Sequence, residues 1–293
     1  MERGRRANLY ALVVVFLWAT VASVFKVTLR YLEPSQLLFG ASAVSVVVLF
    51  LILIFQKKLN QLRQQRKSDY LNSALLGFLN PFFYYSILFK AYSLLPAQAA
   101  QPLNQTWAII LPTFSIVLLK QKIKLKNILA LSLGLFGVLM ISTQGKITHL
   151  NFTNPAGVFF ALSSAFIWSF FWIYNLRDKR DEVVKLFLNF LFGFIFITIF
   201  ILLSVKPLIP LNERWGILGA IYVGLFEMGI TFILWLKALS LAKTTAQVSN
   251  LIYLVPFLSL IFIKFVVGER ILFSTVFGLV FILIGIIIQQ SAQ

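Results

Sequence analysis

Long apolar runs alternate with short polar or basic stretches along the whole chain. The runs fall near 9–25, 34–55, 70–89, 97–118, 125–142, 156–175, 184–205, 215–236, 244–265 and 271–290. Each is close to the roughly 20 mostly apolar residues that a helix needs to cross a bilayer. The stretches 56–69, 120–126, 177–182, 206–214 and 267–270 separate them, and none is long or low in complexity. The pattern predicts an all-α integral membrane protein of ten transmembrane helices. With 60% hydrophobic residues in a chain of 293, no room is left for a sizeable water-soluble domain.

Charge refines this picture. The chain carries 26 Lys and Arg against nine Asp and Glu, a net charge of +17. In a soluble protein that balance would suggest nucleic acid. Here the basic residues sit in clusters between apolar runs, which points to orientation in a membrane and not to a nucleic-acid partner. Place the N-terminus inside. Eighteen Lys and Arg then lie on the inner side, from Arg3, Arg5 and Arg6 to Lys237 and Lys243, and eight on the outer side. Cytoplasmic residues are the ones enriched in Lys and Arg, so both termini are expected in the cytoplasm, with an even number of spans. The first run, with Val21-Ala22-Ser23 near its end, superficially fits a signal peptide. It continues past the small residues to Phe25, and it is read as a span.

The second half echoes the first. Under a shift of 147 residues, Gly77-Phe78-Leu79-Asn80 falls on Gly224-Leu225-Phe226-Glu227, and Lys90-Ala91-Tyr92-Ser93-Leu94 falls on Lys237-Ala238-Leu239-Ser240-Leu241. A shift of 146 aligns Gln101 with Gln247 and Asn104 with Asn250. A shift of 148 aligns Gln121-Lys122-Ile123 with Glu269-Arg270-Ile271, and Gly137 with Gly285. The expected organisation is two five-helix repeats, 1–147 and 148–293. Five spans is an odd number, so the second repeat enters the membrane from the opposite side. Inverted repeats are the architecture of many secondary transporters, with the substrate site near the midplane between them.

At this point the chain resembles the EamA-type members of the drug/metabolite transporter superfamily. The resemblance rests on Leu17-Trp18-Ala19-Thr20, on Trp235-Leu236-Lys237-Ala238-Leu239, on Pro256 within the ninth span, and on Gly268-Glu269-Arg270 followed by Gly278 and Gly285. It covers essentially the whole chain. The first half departs at the Gly-Glu position, which reads Lys120-Gln121. The resemblance implies proton-coupled or exchange-coupled movement of small metabolites, often export of amino acids or related compounds.

Candidate site residues follow from polarity in the wrong solvent. Glu227 is the one acid placed mid-span, in Leu225-Phe226-Glu227-Met228-Gly229. A carboxylate in hydrocarbon is expensive and marks a functional site by default. Its neutral form is favoured there, so it suits a proton carrier. It equally suits a partner for a substrate amino group. Its repeat counterpart is Asn80, expected to face Glu227 across the pseudo-twofold and followed by Pro81, which removes a helix hydrogen bond. Gln101 and Asn104, with Gln247 and Asn250 in the second half, are expected on faces turned into the bundle, because amides in lipid need partners. They offer hydrogen bonds to substrate, or simply join helices. Trp18, Tyr85 and Trp168 are the aromatic candidates for the walls.

Other chemistry is excluded or weakly signalled. There is no cysteine and a single histidine, His149, so disulfides, thiol catalysis and a transition-metal cluster find no residues. No cofactor is expected, and no enzymatic dyad accompanies Glu227. Asn151-Phe152-Thr153 fits a glycosylation acceptor. The expected partners are the lipid bilayer and a small-molecule substrate; oligomeric state is left open. The compact loops and the lack of a targeting segment fit a bacterial inner membrane. The expected function is secondary transport of a small organic metabolite, such as an amino acid or amphipathic compound, in the export direction. An exchanger of nucleotide sugars or phosphorylated metabolites is the second reading. An intramembrane lipid-modifying enzyme is the third.

Overall fold

The computed structural model describes residues 2–118, 124–146, 154–204, 212–242 and 250–291. His149, the Asn151-Phe152-Thr153 stretch and Gln247 lie outside the described residues. Every regular element among the described residues is helical.

The first half contains α1 (Glu2–Thr28), α2 (Pro34–Phe55), the short α3 (Leu59–Arg63), α4 (Lys67–Gly77), α5 (Tyr84–Leu94), α6 (Ala97–Gln105), α7 (Trp107–Leu118) and α8 (Leu125–Ser142). The second contains α9 (Pro155–Arg177), α10 (Glu182–Leu203), α11 (Arg214–Phe226), α12 (Ile230–Leu241), α13 (Leu254–Phe262) and α14 (Phe273–Gln290). Among the described residues, seven helical stretches are long and apolar enough to cross a membrane, and Leu251–Val267 and Phe273–Gln289 are shorter apolar helices. The expected third, fourth, eighth and ninth spans are interrupted. A wide π-type turn, Phe78–Phe83, joins α4 to α5. The fourth run divides at Thr106 into α6 and α7. The ninth begins as a tight 3-10 turn, Asn250–Tyr253, and ends as a π-type turn, Ile263–Val267.

Helix starts follow local sequence. Pro34 and Pro155 occupy first-turn positions, where a missing N–H costs nothing. Asn154 accepts from the Gly157 N–H at 2.9 Å, and Asp181 accepts from Val183 and Val184 N–H at 3.0 and 3.3 Å.

Packing exchanges elements between the halves. The first helix, α1, lies against α11, α12 and α13, while α9 lies against α4, α5, α6 and α7. The helix α2 meets α10, and α8 meets α14. Gly77 and Gly224 explain two further approaches, of α4 to α10 and of α11 to α2. A Cβ at Gly77 would strike the Asn189 carbonyl of α10, and one at Gly224 would lie 2.5 Å from the Ala41 carbonyl of α2. Bare glycine lets these helices touch backbone to backbone, the usual device where no hydrophobic effect drives helices together. Large apolar side chains such as Leu9, Phe55, Leu125, Leu203 and Phe273 remain outward and exposed, as lipid-facing positions do.

The end of the bundle that carries the N-terminus is tied by ions. Arg180 Nη2 donates to Asp178 Oδ2 at 2.6 Å and to Ser73 Oγ at 2.8 Å, and Asn72 Nδ2 donates to Asp178 at 3.1 Å. Lys58 Nζ donates to Asp181 Oδ2 at 2.7 Å. Burial pushes both carboxyls up. Arg180 beside Asp178 and Lys58 beside Asp181, with backbone N–H groups, outweigh it and hold both below the usual carboxylate range.

Candidate functional site

The site begins at a break. The helix α11 stops at Phe226 and α12 starts at Ile230, with Glu227, Met228 and Gly229 between them. Glu227 and Met228 both turn their N–H groups back to the Val223 carbonyl, at 2.9 and 3.1 Å. Gly229 then leaves helical geometry at φ −118 and ψ −98. The Met228 carbonyl is captured by Ser45 Oγ of α2 at 2.8 Å. Glu227 therefore sits where helical backbone pairing is interrupted, half-buried among apolar helices.

A residue from the first half answers it. Tyr85 Oη, itself fully buried on the first turn of α5, donates to Glu227 Oε1 at 3.0 Å. The neighbouring Tyr84 Oη donates to Asn104 Oδ1 of α6 at 3.4 Å. Asn104 Nδ2 donates onward to Ser164 Oγ of α9 at 2.9 Å, and Ser164 to the Ala161 carbonyl at 2.7 Å. Three helices are thus joined through one buried polar chain.

Aromatic rings surround this chain. Tyr84 lies over Trp168 with centroids 4.6 Å apart at 30°. Trp168 reaches Phe232 at 6.1 Å, Phe232 reaches Trp18 at 6.1 Å, and Trp18 reaches Trp235 at 5.8 Å. These rings come from α1, α5, α9 and α12. They form a continuous apolar wall whose π faces can take up an apolar, aromatic or cationic group.

Glu227, Tyr85, Asn104, Trp168 and Trp18 are therefore brought into one region. Asn80 is placed differently. It is fully buried in extended geometry, φ −149 and ψ 119, at the equivalent break between α4 and α5. It makes no hydrogen bond to Glu227, the contact being made by Tyr85 instead, and neither of its side-chain polar atoms has a partner among the described residues. Gln101 is buried on α6, and its Oε1 likewise lacks a partner. Asn250 opens the 3-10 turn before α13. Its side chain, like Gln247, lies outside the described residues.

Four contributors are not among the candidates named from the sequence. Tyr84 and Ser164 complete the buried chain. Ser164 stands one helical turn before Trp168 on the same face, a spacing legible in advance. Phe232 is the repeat counterpart of Tyr85, 147 residues on, so the internal symmetry points to it. Asn189 of α10 is fully buried with both polar atoms unpartnered. It lies where α10 crosses the Gly77 end of the first break.

Among the described residues, no group of three or more His, Cys, Asp or Glu side chains could hold a metal. Membrane-length helices, two interrupted near a polar, ring-lined centre, define an integral membrane protein of the transporter class. The chain matches the EamA-like transporter family over residues 5–143 and again over 155–289, and it belongs to that family. A relative from Clostridium kluyveri named an uncharacterized transporter is 28% identical over 269 residues, covering 89% of this chain and 85% of the relative. The transporter YyaM of Bacillus subtilis, also named uncharacterized, is 24% identical, covering 97% of this chain and 93% of its own. A relative of the same description from Archaeoglobus fulgidus is 22% identical and covers 98% of each chain. A solved crystal structure shares the fold with a TM-score of 0.65 at 18% identity, covering 98% of this chain and 96% of its own.

Proposed function

We propose that this protein is a secondary transporter that exports a small organic metabolite, such as an amino acid or amphipathic compound, by alternating access. The reading takes ten spans as two inverted five-helix repeats, 1–147 and 148–293, with both termini in the cytoplasm of a bacterial inner membrane. The double family match and the exchanged packing of α1 and α9 support it. Glu227 is the coupling residue: its carboxyl takes up a proton, or an ammonium group of the substrate, on one side and releases it on the other. Asn80, Gln101, Asn104, Gln247 and Asn250 supply hydrogen bonds, and Trp18, Tyr85 and Trp168 shape the walls.

The observation that carries this reading is the hydrogen bond from Tyr85 to Glu227. It joins the one mid-span acid, at a break in the second half, to the first half. A proton or ammonium group arriving at Glu227 competes with that contact, which gives the halves a reason to move. The experiment compares wild type with Glu227→Gln at matched expression, profiling metabolites that accumulate outside the cells. The expected result is one compound class exported by wild type and lost in the variant. Equal export by both would remove Glu227 from the site.

A further inference from the structure

The end of the bundle opposite the N-terminus carries a second polar network, made by residues the site does not use. Glu269, in the Gly268-Glu269-Arg270 turn before α14, reaches the start of α6. Its Oε1 accepts from the Ala97 N–H at 2.7 Å and its Oε2 from the Gln98 N–H at 3.0 Å. Gln98 returns the contact. Its Nε2 donates to the Arg270 carbonyl at 2.9 Å, and its Oε1 accepts from Leu272 N–H at 2.9 Å and Thr275 Oγ1 at 3.2 Å. Lys26 of α1 holds the other side of the same corner, donating to the Tyr92 and Leu95 carbonyls at 2.8 and 2.6 Å.

The electrostatics are complementary on both sides. A carboxylate meets the positive N-terminal end of α6, and an ammonium meets the negative C-terminal end of α5. Such charge-assisted bonds are the strong ones. The corner Leu95-Pro96 between α5 and α6 is thereby fixed to the α13–α14 turn and to α1. Its two helices carry Tyr85 and Asn104 toward the ring-lined centre.

From this geometry we infer that Glu269, Gln98 and Lys26 form the closure of the transport path at this end, which the proposed orientation makes the outer one. The inference rests on the alternating-access reading above. Glu269 has a repeat counterpart, Gln121, in the sequence alignment of the halves. Gln121 lies outside the described residues and carries no charge.

The natural chain has no cysteine, so spin labels can be placed cleanly. The outer pair is Ser93→Cys with Phe273→Cys, both exposed, and the mirrored inner pair is Ser240→Cys with Lys126→Cys, also exposed. Double electron–electron resonance reads both distances in the full-length protein in lipid nanodiscs. In Glu269→Gln the outer-open to outer-closed ratio is expected to rise roughly tenfold, the scale of a lost charge-assisted interaction. The inner pair should shift toward closed in step. Glu269→Asp should restore most of the closed population, and Lys26→Met should open the outer pair independently. Thermal melting in the same nanodiscs excludes unfolding as the cause. An unchanged outer distance in both folded variants, Glu269→Gln and Lys26→Met, overturns the closure. An outer opening without inner response keeps the closure and overturns alternating access.

Discussion

Asn80 and Glu227 occupy equivalent places, 147 residues apart, in two interrupted helices, and the structure treats them in opposite ways. Glu227 is satisfied across the bundle by Tyr85, and the carbonyl beside it is captured by Ser45. Asn80 is fully buried with both side-chain polar atoms unpartnered, beside a helix whose Asn189 is unpartnered too. The position of the break repeats, with a glycine at 77 and at 224 that lets a neighbour press close, but the backbone does not: Asn80 is extended at φ −149 and ψ 119, whereas Glu227 stays near helical at φ −103 and ψ −51. Side-chain chemistry does not repeat. Two breaks at equivalent positions therefore carry different chemistry, a carboxyl paired across the bundle at one and a buried amide at the other. A buried amide with no hydrogen bond costs about 1–3 kcal/mol, a penalty that the paired Glu227 carboxyl does not carry.

The comparison breaks most sharply at Glu227. Glu227→Gln keeps the shape and the acceptor for Tyr85 but cannot exchange a proton. Transport should fall by roughly 100-fold or more, the scale lost with a group that carries protons in the working cycle. Export assays in cells, or flux in proteoliposomes, measure it. Tyr85→Phe comes next. It removes only the donor to the carboxyl. A hydrogen bond to a neutral carboxyl contributes about 0.5–1.5 kcal/mol, so a loss of transport of up to roughly tenfold is expected, with expression unchanged. A Tyr85→Phe protein of wild-type activity would uncouple the two halves at this contact.

Asn80→Ala sharpens the other side. Removing an unpartnered amide should leave thermal stability equal or raise it by up to about 1 kcal/mol, because the desolvation penalty goes with the group. Transport should still fall several-fold, since the amide is then missing when substrate or water arrives. Melting and flux on the same preparation separate the two effects. Loss of stability together with transport would make Asn80 a packing residue.

How much of this was readable in the chain divides along the same line. The helical class, the apolar runs and the acid at Glu227 follow from hydropathy, since a charge in an apolar run cannot be hidden. Pro81 marks the first break, while the sequence at the second, Glu227-Met228-Gly229, reads as continuous span. The partner of Glu227 was not legible. Asn80 is its repeat counterpart, yet the contact is made by Tyr85, one turn further along, where α5 presents its first buried face. Symmetry in sequence reports which positions are equivalent, not which are in contact. Glu269 was visible only as part of a Gly-Glu turn, because its partners, the Ala97 and Gln98 N–H groups, are backbone atoms with no sequence signature.

The smallest expected effect concerns the hinge itself. Ser45 donates from α2 to the carbonyl that the break frees at Met228, at 2.8 Å and fully buried. Its repeat counterpart under a shift of 148 is Gly193, which has no hydroxyl and instead lies against Pro81. The second break is thus pinned by a hydrogen bond and the first by apolar contact. Ser45→Ala should cost about 1 kcal/mol of stability, the net value of one neutral hydrogen bond. The loss should be local: hydrogen exchange should quicken across 226–231 and stay unchanged across 78–83. If protection fell equally at both breaks, Ser45 would be holding the bundle as a whole, and the distinction between a pinned hinge and a free one would vanish.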